Sequence, residues 1–398
     1  MSFRHSLFIA FMLPFCVHAQ ERIMRIGLLR DRTVKHAMVM CARGNCNVFA
    51  DGVRMGELKS SDGLRIEVGE GGIVARSLSL AITGADRLEV LPQLDQAGFR
   101  LRSLDHKTPE RTYAGSLEIT AHGSRLELVN TVPIEAYTEG VVKAEAGNGQ
   151  HVEYYKLQSV TCRTYALSNV RKHLLDGFQL CDGVHCQVYH GISRNDSIRM
   201  AVEATHGLVL VDPEIRLIHA TFHSNCGGET VNAEDLWSKS EPYLRATVDT
   251  FCLSSPHATW QKTLTRKEWL AYLTDRYRVR TKDRAQLDAV LNYQPMCRDL
   301  YLANTWPLVP LKNVREDLKL RSTYFSVRTE GERVVLEGRG FGHGVGLCQE
   351  GSMRMAKAGR SYTDILHTYY TDVHLVDLST LDFFREEAPA PVVSYPSP

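Results

Sequence analysis

The sequence predicts an α+β fold, with a β-rich N-terminal region and a mixed helical and β region packed against it. Three observations carry this. Residues 22–131 consist of short alternating or continuous apolar runs (RIMRIGLLR, HAMVM, LRIEV, RLEVLP, SLEITAHG, RLELVN) separated by DG, EGG and HGS turn signals. From Pro133 the apolar spacing becomes helical, at Ile134, Tyr137, Val141 and Val142. The chain has 398 residues, 43% hydrophobic and 23% charged, which suits a globular protein of two or three domains. A net charge of +1 gives no electrostatic reason for a nucleic-acid or membrane-surface partner. No stretch is long and apolar enough to span a bilayer.

In chain order, MSFRHSLFIAFMLPFCVHAQ carries Arg4, an apolar run from Leu7 to Val17 and a small-residue site ending at Ala19. This reads as a secretory signal peptide over residues 1–19, so the mature chain is expected outside the cytoplasm, in the periplasm or cell envelope. Ten cysteines less Cys16 in that leader leave nine, an odd number in a compartment where disulfides persist. Cys41 and Cys46 flank the turn-like ARGN and are the favoured pair. The β-rich region covers 20–131 and the mixed helical and β region 132–383. In the latter, Pro133 starts a helix that Gly147 and Gly149 end, and residues 152–173 form a second with a basic last turn. NDSIRMAVEATHG is a third, closed by Gly207, after which GLVLV and RLIHATFHS look like paired strands. Thr265 and Glu268 form a capping box before two short helices, and YFSVR with VVLEG forms a hairpin. A helix from Gln349 to Ala358 stops at Gly359, and Ser361 with Asp364 caps the next. Residues 384–398 are proline-rich and expected to be disordered.

The segment GRGFGHGVGLCQEGS, residues 338–352, places glycine at every second position from Gly338 to Gly346. Extended, it would present one bare face, for packing on a helix or for a flat sugar ring, and one face carrying His343. The spacing is not that of a Rossmann loop, and no Gly-Lys-Ser/Thr follows.

With the helix after it and the ILHTYY ending, this segment resembles the C-terminal signature of the SpoIID/LytB domain family, named for stage II sporulation protein D and the amidase enhancer. VPIEAYTEGVVKAEA with YYKLQSVTCRTYAL, CQVYHG, and AVEATHGLVL through HSNCGGETVNAEDLW match in family order. The resemblance implies a peptidoglycan lytic transglycosylase that cuts MurNAc–GlcNAc bonds in stem-peptide-free glycan strands and leaves 1,6-anhydro-MurNAc ends. It implies Glu145 as the catalytic acid and base, although Ala146-Gly147 replaces the family's usual Met-Pro after it. It implies substrate contacts at Arg163, His343, Gln349 and Gly344; Cys348 and Glu350 depart from the family's usual Ser-Gln-Tyr-Gly-Ala, and Glu350 is a rival acid. An Arg163 that touched Glu145 would lower its pKa, so Arg163 is expected on substrate or on another acid. The reaction itself requires no cofactor. His173, Cys181 and Cys186 form a His-x7-Cys-x4-Cys cluster where similar proteins hold zinc, with His185 and His190 as substitutes. A Cys181–Cys186 disulfide is the alternative. The expected partners are peptidoglycan strands and a cell-wall amidase. Two other readings stand: a non-catalytic, wall-binding enhancer of an N-acetylmuramoyl-L-alanine amidase, and a zinc-dependent peptidoglycan amidase.

Overall fold

The alternation read over the N-terminal region builds two sheets whose inner faces share one core. The computed structural model describes residues 22–381 apart from 95, 96, 238 and 305; the leader and the proline-rich tail lie outside the described residues. One sheet orders its strands Leu180–Cys181, Ile23–Leu28, Arg125–Pro133, Ser116–His122, Arg87–Pro92, Cys46–Ala50 and Val53–Leu58. The other runs Arg111–Ala114, Gly98–Ser103, His36–Cys41, Leu64–Gly69, Gly72–Arg76 and Ala81–Ala85. Period-two burial follows the alternation: Ala37 and Val39 in one sheet and Leu88 and Val90 in the other are fully buried. The Cys41–Cys46 disulfide, with a Cα separation of 5.9 Å, ties one sheet to the other.

The helices are α1 (Ile134–Ala146), α2 (Val152–Ser168), α3 (Asp196–Ala204), α4 (Ala233–Trp237), α5 (Arg266–Tyr277), α6 (Arg284–Leu291), α7 (Leu311–Asp317), α8 (Gln349–Lys357) and α9 (Tyr362–Tyr369). Local signals set most of their ends. Pro133 is the N-cap of α1 and Gly147, at φ 68°, its C-cap. Thr265 and Glu268 close a complete capping box on α5, and Ser361 accepts the Asp364 N–H at the start of α9.

Two local expectations differ from the structure. Helix α2 ends at Ser168, so Arg171, Lys172 and His173 lie in the turn beyond it. Lys172 Nζ instead reaches the His185 carbonyl at 2.5 Å, a tertiary bond that replaces the expected interaction with the helix end. The strand Leu208–Val211 pairs antiparallel with His374–Asp377, and only Val211 bridges to Leu217.

The cores divide otherwise than the segments do. The main core joins both sheets to α1, α2, α3, α8 and α9, and the strand at 180–181 extends the N-terminal sheet, so the β-rich part is continuous with the helical part. A second core holds Trp269, Leu273, Val314, Phe325, Val327 and Leu336. It lies between α5, α6, α7 and a three-stranded sheet ordered Thr259–Thr265, Arg333–Arg339, Phe325–Glu330.

Candidate functional site

Glu145 sits one residue from the end of α1, where Gly147 turns the chain away. Its Oε1 accepts the Val188 N–H at 2.8 Å. Burial pushes the carboxyl above its usual range, and that one hydrogen bond opposes the shift only in part. No cation pairs with Glu145 among the described residues. The carboxyl lines a cavity of about 470 Å³ with Gln150, Ser224, His257, Gln349 and Glu350.

Gln349 opens α8 and is 8% exposed. The helix cap is Cys348, whose Sγ accepts the Gly351 N–H, so the Gln349 amide is not used in capping. Its Nε2 has no hydrogen-bond partner among the described residues, which leaves a buried donor beside the Glu145 cavity. Glu350 is held differently. It meets His257 Nδ1 at 2.7 Å and accepts from Asn225 Nδ2 at 2.6 Å and the His257 N–H at 3.3 Å. The cavity therefore holds one carboxyl with a single backbone donor and another enclosed by three partners.

Three residues expected at the substrate lie elsewhere. Arg163 is fully buried. Its Nε and Nη2 donate to the two Glu135 oxygens at 2.8 and 2.5 Å, and its Nη1 to the Leu208 carbonyl at 3.0 Å. It joins α1, α2 and the strand at 208–211, with each of its nitrogens engaged and no surface exposed; its partner is another acid, Glu135.

His343 also has both nitrogens engaged. Nε2 donates to the Phe222 carbonyl at 2.9 Å, and Nδ1 accepts the Val345 N–H at 3.1 Å. Burial pushes its pKa down to about 4, so the ring is neutral. It packs between His223 and Trp237, each ring centroid 5.3 Å away, and is not among the residues that line the Glu145 cavity.

Gly344 is buried, at φ 89°, and a Cβ there would come within 2.8 Å of Arg298 Nη1. The glycine stretch as a whole is not the regular extended strand its spacing suggests. Gly340, Gly342, Gly344 and Gly346 all have positive φ. Added Cβ atoms at Gly340, Gly342 and Gly346 would strike the Asn225 carbonyl, His223 Cβ and the Thr221 carbonyl at 2.6, 2.7 and 2.4 Å. The bare backbone is thus needed for close approach, as expected, but what approaches is the segment 221–227 rather than α1 or a ligand.

His173, Cys181, Cys186 and also His185 converge, their ligand atoms all within 4.8 Å of one another. Both cysteines are free thiols, so the disulfide alternative is not formed in this structure. His173 Nδ1 meets Asp176 at 2.7 Å while its Nε2 faces His185, the arrangement of a ligating imidazole backed by a carboxylate. The same loop continues to Val188, the donor to Glu145. His190 is not part of the cluster.

The sequence leaves Cys226 and Cys252 open to disulfide pairing with each other or with Cys348, and it does not mark Asp249; these four side chains come together in the interior. Their order in the chain gives no metal-ligand spacing, and Asp249 has no motif to mark it.

The family model described as "SpoIID: Stage II sporulation protein" matches residues 122–211, which hold α1, Glu145 and the His173 cluster. The stage II sporulation protein D of Bacillus subtilis (strain 168) is 28% identical over 280 residues, 66% of this chain and 80% of that protein. An uncharacterized protein of Brachyspira hyodysenteriae is 27% identical over 302 residues, 72% of this chain and 76% of that protein. The amidase enhancer of Bacillus subtilis is 27% identical over 291 residues, 58% of this chain but 39% of that protein. The matched segment, the relatives and the order of the motifs support a SpoIID/LytB family assignment for this chain.

Proposed function

We propose that the protein is an extracytoplasmic peptidoglycan lytic transglycosylase with Glu145 as its acid and base. The observation that carries this is the Glu145 carboxyl: partly buried, without a cation among the described residues, raised in pKa, and lining a cavity that Gln349 also lines. A carboxylic acid whose pKa is raised by burial suits general-acid work on a glycosidic oxygen. Glu145 protonates the oxygen between MurNAc and GlcNAc; the C1–O bond breaks, and GlcNAc leaves with a free hydroxyl. The carboxylate left behind takes the proton of the MurNAc C6 hydroxyl, and O6 closes on C1. No water is consumed and the proton returns to Glu145, so one carboxyl serves both steps, unlike the usual two-carboxylate glycosidase. Gln349, which lines the same cavity, is assigned the contact to a sugar oxygen.

The donor set of two thiols and two imidazoles at His173, Cys181, His185 and Cys186 fits zinc. Zinc there would supply a structural cross-link, holding the loop that carries Val188 against Glu145. Four protein ligands leave no open coordination position, which speaks against the zinc-amidase reading. The enhancer reading draws on the amidase enhancer relative and would make the cavity a binding site and a partner amidase the catalyst. No described helix is long and apolar enough to cross a membrane.

The test is to incubate purified protein with denuded glycan strands and weigh the products by mass spectrometry. Products with 1,6-anhydro-MurNAc ends support the proposal. Intact strands together with faster cleavage by an added amidase would replace it with the enhancer reading.

A further inference from the structure

We infer that Cys226, Cys252, Cys348 and Asp249 form a second, fully enclosed zinc site, distinct from the His173 cluster and independent of the reaction proposed above. The four residues come from three separate stretches of chain. Cys226 precedes the Gly227-Gly228 turn, Asp249 and Cys252 flank the start of a short 3-10 helix at Phe251–Ser254, and Cys348 caps α8. They are 0–1% exposed. Their donor atoms all lie within 4.8 Å of one another, with Cys226 Sγ 3.4 Å from both Cys252 Sγ and Asp249 Oδ2. A tetrahedral zinc with Zn–S bonds of about 2.3 Å spaces its sulfurs by about 3.8 Å, so a small contraction or expansion of this cluster accommodates the ion.

The surroundings are those of a metal site. Cys348 Sγ accepts backbone N–H groups from Cys226 at 3.2 Å and Gly351 at 3.4 Å, donors that stabilise thiolate charge. Asp249 is oriented by the Tyr369 hydroxyl on Oδ2 at 2.8 Å and the Phe251 N–H on Oδ1 at 2.9 Å, leaving Oδ2 directed at the sulfurs. No cation contacts this buried carboxylate among the described residues, and a divalent ion would supply the missing charge. The partly buried Arg298 guanidinium donates to the Cys226 carbonyl at 2.5 Å and offsets part of the remaining negative charge. Gly351 lies so close that a Cβ would sit 1.9 Å from Asp249 Oδ2, so the first turn of α8 is cut back to admit the carboxylate.

The consequence reaches the cavity. Gln349 and Glu350 directly follow Cys348, and Asn225, which donates to Glu350, directly precedes Cys226. Zinc would fix the chain segments that form one wall of the Glu145 cavity. Its role there is structural, since the site is closed to solvent and offers four protein ligands.

The experiment measures zinc per chain in the purified full-length protein by elemental analysis and native mass spectrometry, after exposure to a weak chelator. The comparison is between the parent, Cys348→Ser, and a Cys181→Ser, Cys186→Ser variant that lacks the other cluster. The proposal expects Cys348→Ser to lose one equivalent relative to the parent. It expects the Cys181→Ser, Cys186→Ser variant to retain one, and its cobalt-substituted form to show thiolate-to-metal charge-transfer absorption. Should the cysteine variants fail to fold, the parent still decides: all three thiols should resist alkylation until the metal is stripped, then react. An unchanged zinc content in Cys348→Ser overturns the proposal. So does a Cys226–Cys252 cross-linked peptide from the untreated parent, which would mean the cluster is a disulfide.

Discussion

Glu145→Gln separates the chemical role of this side chain from its structural one. The structure gives Glu145 one hydrogen bond, from the Val188 N–H at 2.8 Å, and the amide oxygen of glutamine can accept the same bond. Burial raises the Glu145 pKa, so its proton binding contributes stability that is present below the ordinary carboxyl value and lost as pH rises through the raised one. A neutral glutamine escapes that loss, and the variant should be at least as stable as the parent at neutral pH. The proton itself cannot be replaced. Removing a general acid and base typically costs about 10²–10⁴-fold in rate, or roughly 2.7–5.4 kcal/mol of barrier. The assay is release of 1,6-anhydro-muramyl ends from denuded strands, alongside urea unfolding of both proteins. The parent rate should also fall as pH rises through the raised pKa, because only the protonated acid starts the reaction. A Glu145→Gln protein that works within threefold of the parent refutes the assignment, whatever its stability. Glu145→Ala is the poorer test, since it leaves the Val188 N–H unpaired at a cost of about 1–3 kcal/mol.

Three further outcomes are expected. Arg163→Met removes the fork on Glu135 and should cost about 3–5 kcal/mol in chemical denaturation; unchanged stability with a raised KM would instead mean that Arg163 meets substrate. Gly346→Ala places an alanine at φ 70° with its Cβ 2.4 Å from the Thr221 carbonyl, and should lose at least about 1–2 kcal/mol from the backbone conformation alone; a stability equal to the parent's would show that the glycine stretch can move. Because His343 is held neutral with its pKa pushed down to about 4, the parent should lose roughly 3 kcal/mol between about pH 6.5 and pH 4 through this group. His343→Gln should lack that part of the slope, and identical pH profiles for the two proteins would contradict the assignment.

The α+β class and most element ends were legible in the sequence because both follow from short-range physics. Alternation over a few residues decides which strand face is buried. Pro133, Gly147, Asn195, Thr265 with Glu268, and Ser361 set helix ends through groups within three or four residues of one another. Glu145 and Gln349 are 204 positions apart in the numbering, and only the motif resemblance suggested that they act together. What was not legible depends on distant partners. Arg163 is taken by Glu135, 28 residues away, and by Leu208; His343 is taken by Phe222, 121 residues away. Even spacing showed that the glycine stretch needed bare backbone, but not that its φ angles are positive or that segment 221–227 fills the space. The cysteines at 226, 252 and 348 carry no spacing signal, because the chain between the last two forms a second core of its own before returning Cys348 to the first. Local hydrogen bonds and steric limits are properties of neighbouring residues, so sequence order carries them; the pairing of buried charges and thiols follows from which distant segments pack together, and that exists only once the chain has folded.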